Sequence, residues 1–403
     1  MTYPTIRPEL TLDFANSRQL DPRITFSRTS GATYLSPDTG LITLASEHEA
    51  RFEKEGLLIE ESRKNLHPNS TVDALKEGIG GLTQGSTSTI NPTGATSTVE
   101  TWTVSSDVSA QAHAGYRFYN NTYVDFTWSL FVKANGINRI QVSSSKRDNS
   151  SYIDANLATG EIEAQTDSRA TLTKLANGWY RISVSRSSDR AHGPGFWLLD
   201  DSGNRSFVGD GTSGVYVWGM QLEQAGGNLF PTSYIPTAGQ AGGVIRDADI
   251  CKIGGDNFSS WYNQDEGTYF VEVTGVAPGA TYYCSAFRGS TGNKRMSVRT
   301  SSDGTVNINT LNSNNIVLNN SILNGCKVTE GAKVAFTYGD GFFNARGSNS
   351  NVLTTLAPSQ LSRMPIPGMG SLQFSYQDYT YHIKRAAYYS RRLTNSELET
   401  LTL

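Results

Sequence analysis

Long apolar runs are the first thing this sequence lacks. Nowhere do roughly 18 apolar residues follow one another, so no membrane-spanning helix and no membrane insertion is expected. The opening stretch MTYPTIRPELTLDF has no positive region leading into an apolar core, so it does not read as a secretory signal. Charge is scarce as well, at 18% of residues with a net of −3. A nucleic-acid surface needs a clustered basic face. Lys294-Arg295 and Arg385 with Arg391-Arg392 are too sparse to make one, which argues against a nucleic-acid partner. Cysteine is limited to Cys251, Cys284 and Cys326, an odd number without metal-ligand spacing, and the 5 histidines are scattered. No metal and no cofactor is expected from that set, and the thiols read as buried side chains of a protein made in a reducing cytosol.

Runs of Glu, Lys and Ala are also missing, which argues against long helices. In their place stand 39 glycines and many Ser, Thr and Asn residues, the composition of short strands joined by tight turns. A chain of 403 residues is long enough for two or three domains. The expected class is all-β: a small N-terminal β-meander followed by two antiparallel β-sandwiches. The stretch Gly214 to Asp249 shows the pattern best. Val215, Val217 and Gly219 point one way, and Tyr216, Trp218 and Met220 the other. Pro231 and Pro236 then hold a strap extended, before a new run of strands begins.

Taken in order, residues 1–66 give short strands broken by turns such as Ser36-Pro37-Asp38-Thr39-Gly40. A meander this small barely covers its own apolar face, so it should pack on the next domain or on copies of itself. Residues 67–250 open with the polar stretch GIGGLTQGSTSTINPTGATSTVETWTVS, expected to be exposed or irregular. Alternating strands follow, with turn residues Asn120-Asn121 and a hairpin around Ala158-Thr159-Gly160. Their count and spacing suit a jelly-roll sandwich of the carbohydrate-binding-module type. Residues 255–403 end in LTNSELETL, where Thr394 caps a short helix, Glu397 completes a capping box and Leu398 and Leu401 share one side.

Several pieces carry a resemblance. GLLIEESRKNL, WSLFVKA, NGWYRISVS, GVYVWGMQLEQ, FPTSYIPT and VIRDADICKI occur in the order seen in tailed-phage head-spike, head-fibre and tail-fibre proteins, and the chain resembles that family. Its last third, with GTYFVEV, KVAFTYGDGFFNARG and HIKRAAYYSRRLTNSELETL, resembles a concanavalin-A-like or laminin-G-like sandwich. It departs from that pattern where Ala345-Arg346-Gly347 replaces the usual Asn-Gly turn. The resemblance implies a virion-surface protein, assembled in the host cytoplasm. Such a spike or fibre subunit is joined to other virion proteins through its N-terminal segment, is a homotrimer, and holds host cell-surface polysaccharide. Two alternatives stay open: a structural decoration or connector protein without ligand, and a polysaccharide depolymerase.

Catalysis has no visible constellation. A glycan-cleaving site needs two facing carboxylates, yet the strand around Glu272 offers one, Asp265 and Glu266 read as turn residues, and Asp200-Asp201 read as a hairpin turn. No Gly-x-Ser-x-Gly elbow occurs. The chain is therefore read as not an enzyme. Sugar binding needs only exposed rings and nearby amides or carboxylates in shallow, wet sites. The candidates are Trp261, Tyr262, Tyr282, Tyr283, Asp340, Phe342 and Asn344 in the last module, and Trp102, Tyr119 and Tyr123 in the middle one. Trp128, Trp179 and Trp218 sit among alternating apolar residues and read as core. The single carboxylate of Gly339-Asp340-Gly341 is too few for calcium.

Overall fold

The computed structural model describes residues 7–71, 80–106, 111–112, 114–116, 125–145, 151–187, 193–224, 229–275, 281–289, 293–312, 314, 316–339, 341–350, 354–355, 368–375 and 379–403. Asn120, Asn121, Tyr119, Tyr123 and Asp340 lie outside the described residues. The structure is almost wholly antiparallel β-sheet, as the composition required. Among the described residues no helix is long and apolar enough to cross a membrane.

Two compact units divide the chain, and neither is continuous. One comprises Met1–Gly31, Ala45–Ser62 and Asp247–Leu403; the other comprises Ala32–Leu44 and Arg63–Arg246. Residues 1–66, expected as one meander packed on a neighbour, are divided between the two units. Leu10–Asp13 and Gly56–Ile59 both pair with Tyr381–Tyr389, and Thr25–Ser27 pairs with Ile250–Gly254. A segment too short to bury its own face has been taken up into larger sheets.

In the second unit an eight-stranded sheet is built around Phe126–Asn135 and Gly214–Gln224, and a five-stranded sheet around Arg139–Ser143. Trp128, Leu130, Val132, Val215 and Val217 from the first meet Ile140, Val142, Ile153, Phe196 and Leu198 from the second in one core. The opposite face of the eight-stranded sheet is also covered, by a cluster of Val99, Phe131, Trp179, Trp218 and Tyr234. Strict alternation along Gly214–Gln224 fails at one point. Met220 joins Val215 and Val217 instead of Trp218. Gly219 is the cause: at φ +64 it adds a residue where the register against Phe126–Asn135 shifts between Ser129 and Phe131. A Cβ there would lie 2.5 Å from the Phe131 ring, so only glycine fits.

The strap after this strand is tied down by amides. Asn65 donates to the Ile235 carbonyl at 2.8 Å and accepts from His67 and Leu222 nitrogens, while Ile235 N donates to Gln221 Oε1 at 2.6 Å. The polar stretch before residue 105, expected to be exposed or irregular, is regular, and its first strand is mostly exposed. Leu82–Ile90 and Thr96–Val104 form a hairpin of two nine-residue strands, each pairing along its whole length. The Ala158-Thr159-Gly160 turn forms as expected, with Gly160 N donating to the Asn156 carbonyl at 2.8 Å.

In the first unit, an eight-stranded sheet centred on Glu266–Gly275 and Tyr381–Tyr389 faces a seven-stranded sheet. The latter runs in the order Thr25–Ser27, Ile250–Gly254, Met369–Gln373, Tyr282–Gly289, Arg295–Thr300, Thr305–Leu311, Val317–Lys327. Rings join the two layers: Tyr269 and Phe287 lie 4.9 Å apart edge-on, and Tyr269 Oη shares a 2.6 Å hydrogen bond with Ser285. Ala345, Arg346 and Gly347, where the sequence departs from the sandwich pattern, continue the strand Phe342–Gly347.

The last helix, Asn395–Thr402, carries the capping box read from the sequence. Thr394 Oγ1 accepts from Glu397 N and Glu397 Oε2 accepts from Thr394 N at 2.7 Å. Leu398 and Leu401 pack with Phe270, Ala335 and Leu393. Thr394→Ala is expected to cost this unit about 1 kcal/mol, the usual worth of such a cap, read as a lower denaturation midpoint with an unchanged slope.

Candidate functional site

Alternation assigns the residues of the seven-stranded sheet to two faces. Cys251, Ile253, Leu372, Phe287, Met296 and Ile308 are buried against the other layer. The register then places Lys252, Gln373, Ala286, Ser297, Asn309 and Asn320 in one cross-strand row on the other, outer face, where Ala286, Ser297 and Asn309 are themselves buried. A parallel row holds Ser371, Arg288 and Arg295, and a third holds Arg299, Asn307 and Ile322. Arg299 donates to Asn307 and, at 2.8 Å, to Asn320. The Arg295 guanidinium lies 4.6 Å from the centre of the Tyr283 ring. Lys252 is exposed and makes no ion pair among the described residues.

Beside Gln373 this face opens into a cleft of about 370 Å³. Lys252, Arg288, Gln373, Ser375, Glu61 and Tyr379 contribute to its lining, with Glu60 and Asp249 deeper. Tyr379 is held from both sides: Tyr282 lies 5.6 Å away, nearly parallel, and Tyr381 lies 5.5 Å away. Glu61 accepts a hydrogen bond from Thr380 at 2.9 Å. The two deeper carboxylates are neutralised from below. Arg51 reaches Glu60 and Asp249, each at 2.6 Å, and Arg28 reaches Asp249 at 3.0 Å, with all four side chains buried. Burial works against the charge on Arg51, but the two carboxylates offset it and hold the guanidinium above its ordinary value. Glu60 and Asp249 therefore present no net negative charge to the cleft.

The residues proposed from sequence fall out differently. Tyr282 and Tyr283 are both half-buried, but only Tyr283, paired with Arg299, belongs to this face, while Tyr282 pairs with the buried Thr300. Trp102 is fully buried in the core of the second unit, so it cannot stack on a ligand. Trp261 is only 6% exposed, its Nε1 donating to the Asn257 carbonyl at 2.7 Å and its ring edge-on to Tyr388. Tyr262 stacks on Phe258 at 4.5 Å. Asn344 is buried and donates to Asn395 at 2.8 Å, holding the last helix. Phe342 is exposed, but Arg392 lies over its ring at 4.5 Å.

Of the carboxylates weighed for catalysis, Glu272 bonds Arg385 at 2.8 Å and Lys384 at 3.0 Å, and Asp200 accepts from Ser202 and Asn204 nitrogens in a turn. One set missed by sequence is Glu53, Glu55 and His382, whose ligand atoms lie within 4.8 Å of one another. His382 and Glu53 already share a 2.9 Å hydrogen bond. The three cysteines are buried and free; burial pushes Cys284 up to about 12 and Cys326 up to about 11, which makes them poor nucleophiles.

No family model matches the sequence, and no curated protein matches it. Solved structures give loose likenesses. The carbohydrate-binding module of the Ruminococcus gnavus IT-sialidase is 14% identical over 36% of this chain and 88% of its own, at a TM-score of 0.29. The NanB sialidase of Streptococcus pneumoniae is 10% identical over 38% of this chain and 26% of its own, at 0.30. The Trypanosoma rangeli sialidase is 10% identical over 93% of this chain and 77% of its own, at 0.29. The expectation that the chain is not an enzyme is corrected by this finding, because sialidases stand among its structural neighbours. Likenesses this loose name no reaction and assign no residue a role.

Proposed function

We propose that the chain is a virion-surface spike or fibre subunit that holds host cell-surface polysaccharide on the outer face of its seven-stranded sheet. The observation that carries the reading is the chemistry of that face. The amides of Gln373 and Asn320, the hydroxyl of Ser371 and guanidinium groups stand on that face, with an open cleft beside Gln373. Hydroxyl-rich ligands are read by such arrays, often through water. Placement on a virion, trimerisation and attachment to other virion proteins belong to the same proposal, and their support is the order of sequence pieces shared with phage spikes and fibres. Weak single sites suit such an oligomer, since presenting several at once raises avidity without new contacts.

The test is retardation of the whole chain in gels containing host surface polysaccharides, together with antibody labelling of particles. Retardation by at least one polysaccharide is expected, with Gln373→Ala weakening it about fivefold, the effect of losing one shared hydrogen-bonding group. A protein that labels the particle but is retarded by none would be a decoration or connector without ligand, and the binding reading would fall.

A further inference from the structure

We propose that Glu53, Glu55 and His382 bind one divalent transition-metal ion, with zinc as the probe, and that the ion staples the hairpin of Arg51–Glu53 and Gly56–Ile59 to the strand Tyr381–Tyr389. The ligand atoms of the three side chains lie within 4.8 Å of one another, and His382 Nε2 is 2.9 Å from Glu53 Oε2. Among the described residues no other three His, Cys, Asp or Glu side chains are grouped in this way. The backbone brings them together although Glu53 and His382 stand 329 positions apart in the chain. Glu53 ends the first strand of the hairpin and pairs with Gly56 at the start of the second, which leaves Lys54 and Glu55 as the turn. Leu57 and Leu58 then pair with Ile383 and His382. Gly56 seats the turn: its φ is +117, and a Cβ there would overlap the Ile383 carbonyl oxygen, so glycine alone lets the hairpin approach so closely.

The donor set selects the ion. Carboxylates alone would make an ordinary acidic patch, and calcium or magnesium asks for about six or more oxygens. An imidazole nitrogen beside two carboxylate oxygens suits zinc and its first-row neighbours, with solvent completing the coordination. Charge agrees, since two carboxylates offset the double charge of the ion, and Lys384, two residues beyond His382, is held by Glu272 at 3.0 Å. Size agrees as well. A tetrahedral ion bound at about 2.0 Å keeps its ligand atoms about 3.3 Å apart. The ion would replace the proton between His382 and Glu53, that pair opening slightly, while Glu55, exposed in its turn, swings in. None of the three has to be free of other bonds, because metal-bound imidazoles and carboxylates ordinarily keep a second hydrogen bond. A link between strands so distant in the chain restricts the unfolded state, so binding should also be read as stability.

The experiment is calorimetric titration of the intact, chelator-stripped chain with zinc, and separately with calcium and magnesium, alongside thermal melts. One zinc per chain is expected, with calcium and magnesium bound far more weakly. Zinc at about a hundredfold excess over its Kd should raise the melting temperature of the first unit by roughly 5–10 °C. His382→Gln and Glu55→Gln should each weaken zinc at least about tenfold. Glu47→Gln, at another exposed carboxylate of the same unit, should change nothing. Glu55 lies in an exposed turn, so a metal-free melt matching the parent separates lost binding from lost folding. Cobalt in place of zinc gives a visible absorption that depends on coordination geometry, and the same two variants should abolish it. Zinc bound equally by the parent and both variants would place the ion elsewhere and overturn the proposal. Calcium or magnesium bound as tightly as zinc would overturn it too, as would the absence of binding in both calorimetry and melts.

Discussion

Asp249→Ala is expected to unfold the first unit under conditions where the parent is stable, at a cost of about 3–5 kcal/mol. Asp249 accepts from Arg28 at 3.0 Å, from Arg51 at 2.6 Å and from the backbone nitrogen of Glu60 at 2.9 Å. Removing it takes from Arg28 its buried carboxylate, beside which the guanidinium also bonds the carbonyls of Ser30 and Ser46, and takes from Arg51 one of the two carboxylates it bonds. A buried cation without its counter-ion is the expensive case, since the desolvation already incurred is no longer offset. For a unit of this size the loss corresponds to a drop in melting temperature of roughly 10 °C. Hydrogen exchange resolved by segment would place the effect: Thr25–Ser27, Gly56–Ile59 and Ile250–Gly254 should lose protection first. Asp249→Asn, which keeps the shape and one acceptor, should fall between the two. If the alanine variant loses less than about 1 kcal/mol, the network is not what holds these segments together.

That network also shows what was legible in the sequence and what was not. Alternation gave the strands, the turn chemistry gave the hairpin at Gly160, and Ser/Thr-x-x-Glu spacing gave the final helix. Those are local signals. The pieces GLLIEESRKNL and VIRDADICKI stood out in sequence without a reason. In the structure Glu60 and Asp249 meet although 189 positions separate them, and no local pattern announces a pairing at that distance. The discontinuous units follow from the same cause, because partners such as Leu12 and Ala386 are chosen by burial and not by proximity in the chain. Gly219 is a subtler case: one inserted residue reverses every side chain beyond it, and a glycine in a strand hints at this only weakly.

The site was half legible. Tyr282 and Tyr283 were chosen as strand aromatics beside polar neighbours, and of the two only Tyr283 stands on the outer face, Tyr282 being paired with the buried Thr300. Trp102, Trp261 and Asn344 were chosen on the same grounds and are buried. Alternation separates two faces but does not say how many are covered, and in the second unit both faces of the central sheet are. A better signal was present throughout. Once strands are assigned, the complete absence of Asp and Glu from seven neighbouring ones distinguishes that sheet.

Glu100 provides the second large effect, in the other unit. It lies on the same side of its strand as Trp102 and Val104, both in the core, and is 2% exposed. Trp102 Nε1 donates to its Oε2 at 2.9 Å. Burial pushes the carboxyl from 4.5 up to about 8, against the opposing pull of the bonds from Trp102 and Gln84. Folded protein therefore keeps a proton that unfolded chain releases near 4.5, so stability from this group is fully present below that pH. It is lost as pH rises through the folded value, and above about 8.5 no more is lost. The window is worth on the order of 4 kcal/mol at about 1.4 kcal/mol per pH unit. Glu100→Gln keeps an oxygen for the Trp102 donor and has no proton to lose. Urea midpoints of parent and variant should coincide near pH 4 and separate steadily towards pH 9, with the variant the more stable. Because every other titrating group is common to both proteins, the difference between the two curves isolates this carboxyl. A flat difference across that range would mean that Glu100 is ionised in the folded protein and compensated by a partner, and the buried-acid account of this hairpin would be wrong.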